Sequence, residues 1–141
     1  MSASPTTRTG SPTRTRALAV VGVVLLDALI WIAASNVFDI ELRVPDGPGS
    51  TSTSELALPV VIISVAVVSL VGWGLLALLE RLTARARTVW TAIASAVVVL
   101  SLFAPLFSEN LTAGNRTTLV CLHLAVGAVL IPACRKDARR A

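Results

Sequence analysis

The 141-residue chain has no tyrosine, one histidine, two cysteines and one methionine, and only 14% of its residues are charged. Each shortage removes a class of function. Two cysteines and one histidine cannot build a disulfide framework or a multi-ligand metal site within one copy, and one histidine cannot supply both axial ligands of a bis-histidine haem. No nucleophile stands at a recognisable spacing from a base, so the sequence predicts neither an enzyme nor a bound cofactor. What is abundant is apolar: 55% of residues are hydrophobic and mean hydropathy is +0.80, far too high for a soluble domain. The partner implied is the lipid bilayer. A pI near 10.5 would raise nucleic acid as a partner for a soluble protein, but here the basic residues sit at the ends of apolar runs, and no nucleic-acid binding is expected.

Four apolar runs of span length occupy residues 17–38, 58–79, 88–108 and 117–134. At ~1.5 Å per residue the first is about 33 Å long, enough to cross the hydrocarbon core. Residues 1–16 and 135–141 read as polar tails, the first disordered and both basic. The pattern predicts an all-α, four-helix transmembrane bundle, up-down-up-down, with an outer loop at 39–57. A basic leader, an apolar run and Ala33-Ala34-Ser35 also resemble a cleaved signal peptide, yet the run is too long for a signal core and carries Asp27. In the outer loop, 39–44 alternates with period two and Pro45-Asp46-Gly47-Pro48-Gly49 forces a turn. With no apolar partner strand in view, an extended segment resting Ile40, Leu42 and Val44 on the helix ends is expected rather than a hairpin. Asn110 and Asn115 open glycosylation sequons that lie close to the membrane and read as turn residues. Trp90 marks the inner interface of the third span, and the two cysteines, Cys121 and Cys134, read as buried thiols.

Charge sets the orientation. Arg14, Arg16, Arg81, Arg85, Arg87, Arg135 and Lys136, with Arg8, Arg139 and Arg140, fall in the tails and the middle connection, against only Arg43 and Arg116 in the other two loops. Ten against two predicts both termini inside, in the cytoplasmic membrane.

Within the spans two ionisable side chains remain, Asp27 and His123. Asp27 lies ~15 Å from the inner end of the first span and His123 ~9 Å from the outer end of the fourth, so the two come within several Å in depth. An acid at mid-span should face protein or a cavity, since exposing it to lipid costs roughly 2.5–3.5 kcal/mol. If the first and fourth helices touch, a hydrogen bond between the pair would satisfy both, either as structural glue or as a proton-responsive site. Gly127, Ala92 with Ala96, and Thr88, Thr91 and Ser95 along one side of the third helix read as close-packing positions. In Gly72-Trp73-Gly74 the glycines expose backbone for a neighbour to pack against.

The segments Gly72-Trp73-Gly74-Leu75-Leu76-Ala77-Leu78-Leu79-Glu80-Arg81, Ala84-Arg85-Ala86-Arg87-Thr88-Val89-Trp90, Leu100-Ser101-Leu102 with Pro105-Leu106, and Leu122-His123-Leu124 leading to Val129-Leu130-Ile131-Pro132 resemble an uncharacterised actinobacterial family of small four-span membrane proteins, a domain of unknown function. The resemblance covers spans two to four, roughly half the chain. It implies a membrane protein of this topology and transfers no reaction or ligand. By elimination the expected role is a structural or partner-binding membrane component, engaging a second copy or another membrane protein. The alternative is a small proton-coupled transporter using Asp27 with His123, although the strong charge bias and the lack of tyrosine are unlike the small multidrug-resistance type.

Overall fold

The computed structural model describes residues 12–47 and 50–137, and of Pro12, Lys136 and Asp137 only the backbone. The remaining tail residues, with Arg8, Arg139 and Arg140, and the turn residues Pro48 and Gly49 lie outside it. Helix α1 spans Pro12–Asn36, strands β1 and β2 span Arg43–Pro45 and Thr53–Glu55, and α2 spans Leu58–Leu82. Helices α3 (Ala86–Ser101), α4 (Phe103–Phe107) and α5 (Ala113–Asp137) follow. Four stretches are long and apolar enough to cross a membrane: Thr13–Asn36, Leu58–Leu82, Ala86–Phe107 and Ala113–Arg135.

The bundle exposes many large apolar side chains and buries a few polar ones, Arg16, Asp27, Ser69, Asn115 and Thr118. On α1, Arg16, Val23, Asp27 and Ala34 are buried at spacings of seven, four and seven, which is one helix face, while Leu18, Leu25 and Leu29 point outward. On α2 the buried face is Val61, Val65, Ser69 and Leu76. Arg16 near the start of α1 pairs with Glu80 near the end of α2, and Trp31 Nε1 donates to the Leu56 carbonyl at 2.7 Å, so these helices run antiparallel. Helix α1 packs on α2 and α5, and α3 packs on the same two, which closes the ring. A Cβ on Gly127 would come within 3.0 Å of Val98, so α5 meets α3 at this glycine.

Several expectations need correction. Residues 12–16 are not tail: the helix already starts at Pro12, and proline is well suited to a first turn. The fourth span starts at Ala113 rather than Thr117, because the Thr112 hydroxyl accepts the Asn115 amide and caps the helix four residues earlier. It also runs past Cys134 into the presumed basic tail. The third span breaks at Leu102: Pro105 has no amide hydrogen for the Ser101 carbonyl and its ring crowds that turn. Trp90 is no interfacial anchor. It is 4% exposed, and its indole donates to the Gly72 carbonyl at 2.8 Å, using the backbone that the glycine uncovers.

The segment between α1 and α2 is a hairpin, with Arg43 opposite Glu55, Val44 opposite Ser54 and Pro45 opposite Thr53. A two-stranded ribbon is marginal alone, but this one rests on the helix ends. Leu42 and Leu56 join the core, Ile40 lies over Gly114, and the Asn115 amide group donates to the Arg43 carbonyl at 2.9 Å. Asn115 is therefore a 2% exposed helical residue and not a turn residue, whereas Asn110 does sit in a turn and donates to the Thr51 carbonyl. Three residues after the end of α1, Asp39 has φ 50°, a left-handed conformation that aspartate tolerates, and the Ile40 amide closes back on the Ala34 carbonyl.

Candidate functional site

The inner stripe of α1 carries Asp27 into the middle of the bundle, where it is 0% exposed and neither carboxyl oxygen has a hydrogen-bond partner. His123 enters from α5, which packs directly on α1. The expected Asp27–His123 hydrogen bond is not formed: His123 Nδ1 lies 2.7 Å from the Leu119 carbonyl of its own helix. That bond needs no alignment between helices, so it forms locally. A carbonyl only accepts, which puts a ring proton on Nδ1 and, where the ring carries no second proton, leaves Nε2 as an acceptor.

Asp27 and His123 instead line a common cavity of about 300 Å³. Its walls are valine and leucine side chains of α2, α3 and α5, and Val44 of the hairpin with Leu56 closes the hairpin end. Ser64 and Ser101 add two hydroxyls, of which Ser101 is engaged with the Val98 carbonyl. Ser64, Val68 and Val97 line the cavity yet are exposed, so its mouth opens sideways between α2 and α3, on the apolar outer face of the bundle. One turn beyond Val65 on the same face of α2, Ser69 is fully buried and its hydroxyl also has no partner. Farther along, Leu76, Trp90 and Cys134 pack into a second cluster that closes the other half of the bundle.

A buried polar group without a partner is uncommon in native proteins and costs about 1–3 kcal/mol. The arrangement is chemically specific: an apolar chamber with one carboxyl group, one imidazole and few donors. It suits a small, mostly apolar molecule that brings its own donor. Among the described residues no group of three or more His, Cys, Asp or Glu could hold a metal ion.

The arginines read as orienting residues do different things. Arg16 is buried and bonds both Glu80 carboxylate oxygens, at 2.6 and 3.3 Å, whereas Arg14, Arg81, Arg85, Arg87 and Arg135 are exposed. Thr88, Ala92, Ser95 and Ala96 do not pack inside the bundle as expected but face outward, and Cys121 is exposed while Cys134 is buried. Sequence reasoning missed Ser64, Ser69 and Ser101. Only Ser69 had a signal in the register, since Val61, Val65 and Ser69 recur at four-residue spacing, and hydroxyls are common in spans and point to no chemistry by themselves.

Comparison with curated proteins and with solved structures found no match. The family model described as a family of unknown function (DUF6069) matches residues 7–140, so its span includes α1 and Asp27 as well as the three later membrane-length stretches, and the chain belongs to that family.

Proposed function

We propose that the protein is a non-enzymatic, multi-pass protein of the cytoplasmic membrane, with both termini inside, that takes a small lipophilic hydrogen-bond donor from the bilayer into the Asp27 cavity. One observation carries this reading: a fully buried carboxyl group with two unpartnered oxygens in the wall of a chamber whose mouth opens on the apolar outer face of the bundle. A 150 Å³ apolar cavity can hold benzene, so about 300 Å³ fits on the order of a dozen non-hydrogen atoms. The ten-to-two distribution of arginine and lysine supports the orientation. A purely structural or partner-binding component has no use for an unpartnered acid beside an open chamber, which favours ligand binding over that role. Proton-coupled transport would further require the Leu76–Trp90–Cys134 cluster to open, so binding is the more economical reading.

The test is mass spectrometry of organic extracts from protein purified in mild detergent. Wild type should retain a small lipophilic compound at near-equal molar amount. Val98→Phe, which fills the chamber, and Asp27→Leu, which removes the acceptor, should lose it. Identical extracts from folded wild type and both variants would refute the reading. Solute flux in liposomes that depends on pH and on Asp27 would favour the transporter.

A further inference from the structure

A second opening lies at the opposite end of the bundle from the hairpin. Between the start of α3 and the end of α5 runs a groove of about 420 Å³ lined by Arg87, Thr88, Thr91, Ala92, Ser95 and Arg135. Arg87 and Arg135 stand at the ends of two membrane-length segments, Ala86–Phe107 and Ala113–Arg135, so both guanidinium groups lie at one interfacial level. Among the described residues, ion pairs join Arg16 to Glu80 and Arg43 to Glu41, and neither Arg87 nor Arg135 has an acidic partner. Two guanidinium groups lining one groove, with no acidic partner among the described residues, repel each other, a cost that an anion between them reverses.

From the arginines the groove descends along α3. Thr88 to Ser95 is seven residues, ~10 Å of helix, which carries the groove from the interface into the hydrocarbon region. The hydroxyls of Thr88, Thr91 and Ser95 make no hydrogen bond among the described residues, unlike Thr117 and Thr118 of α5, which bond back to their own helix. The first turn of α3 also has no side-chain cap. A cationic head with a hydroxyl-lined channel running down the membrane matches one kind of molecule, a phosphate-bearing headgroup with an acyl chain beneath it. A free phosphate would leave the lower channel empty. Basic pockets between transmembrane helices are an established way to hold such headgroups.

We propose that the α3–α5 groove is a binding site for one anionic phospholipid, its phosphate between Arg87 and Arg135 and its chain along Thr91 and Ser95.

The experiment is native mass spectrometry of the full chain titrated with phosphatidylglycerol and, separately, with phosphatidylcholine. Wild type should bind one phosphatidylglycerol in preference to phosphatidylcholine. At about 1 kcal/mol per arginine, Arg87→Gln and Arg135→Gln should each reduce that preference about five-fold, and the pair about 30-fold. Ser95→Leu, which blocks the channel without altering charge, should remove the bound lipid, while Arg14→Gln, outside the groove, should leave it in place. Thermal unfolding checks that each variant is folded, and the wild-type preference stands as a test even if the double variant is not. The proposal is overturned if wild type does not discriminate between the two lipids, or if the folded double variant keeps its preference. It is also overturned if inorganic phosphate displaces the lipid at the same concentration as phosphatidylglycerol does, or if the groove is covered by a second copy in a lipid-free dimer that Ser95→Leu dissociates.

Discussion

Replacing Asp27 by leucine should make the ligand-free protein more stable, the reverse of the usual result for a fully buried residue. The carboxyl group has no partner in the bundle, and an aspartate at mid-span costs roughly 2.5–3.5 kcal/mol on insertion scales, whereas leucine contributes about −0.3 to −0.6. The full difference of about 3–4 kcal/mol is an upper bound, because the unfolded chain in detergent also finds partners for its polar groups. A gain of about 1–2 kcal/mol is therefore expected. The added methyl groups need not strain the core, since a chamber of about 300 Å³ adjoins the site. Asp27→Asn keeps the need for partners and should stay within about 0.5 kcal/mol of wild type. The assay is reversible unfolding of delipidated protein in mixed micelles, read from the three tryptophans. If Asp27→Leu lowers stability by more than about 1 kcal/mol, the carboxyl group is held by a partner that supports the fold, and the reasoning fails.

Two further predictions concern the frame around the site. Trp90→Phe keeps most of the buried ring but abandons the Gly72 carbonyl, and should destabilise the bundle by about 0.5–2 kcal/mol in the same assay. At the hairpin turn, hydrogen bonds from Ser52 and Ser54, with Arg43 nearby, hold the Asp46 carboxyl below its ordinary value of 3.8. A depressed folded-state value means that the carboxylate stabilises the turn above about pH 3.8 and that this support fades as pH falls through the lower, folded value. The protection factor of the Asp46 amide, which donates to the Ser52 carbonyl, should fall over that acid range, and Asp46→Asn should remove the fall.

Composition and run length were enough to predict an all-α chain with four membrane-length helices, because a bilayer admits few other solutions to backbone hydrogen bonding. The resemblance drawn from spans two to four pointed to a family of unknown function, and the family of unknown function that matches also takes in α1. Helix ends were harder to read. Thr112 caps α5 through one side-chain contact, and Pro105 breaks the third span three residues upstream of its own position. The hairpin was not foreseen because its second strand, Thr53–Glu55, carries no apolar residue, and much of its support comes from Asn115, Gly114 and Trp31, residues distant in sequence. Depth along the spans brought Asp27 and His123 to one level, and they do share a chamber. Whether they would bond to each other depended on the rotamer of His123, which the Leu119 carbonyl captures and no sequence pattern encodes. The outward turn of the α3 hydroxyls was equally invisible, since a small-residue stripe packs a neighbour within one chain and between molecules in the same way.

The most direct test of the account is an experimental structure of the full chain purified from its own membrane into nanodiscs, at a resolution that separates water from larger ligands. The account predicts continuous density for a compact molecule in the chamber, with a polar atom within hydrogen-bonding distance of Asp27 and a path outward past Ser64, Val68 and Val97. A chamber that is closed or holds only isolated waters, with Asp27 bonded to His123 or to another side chain, would contradict it.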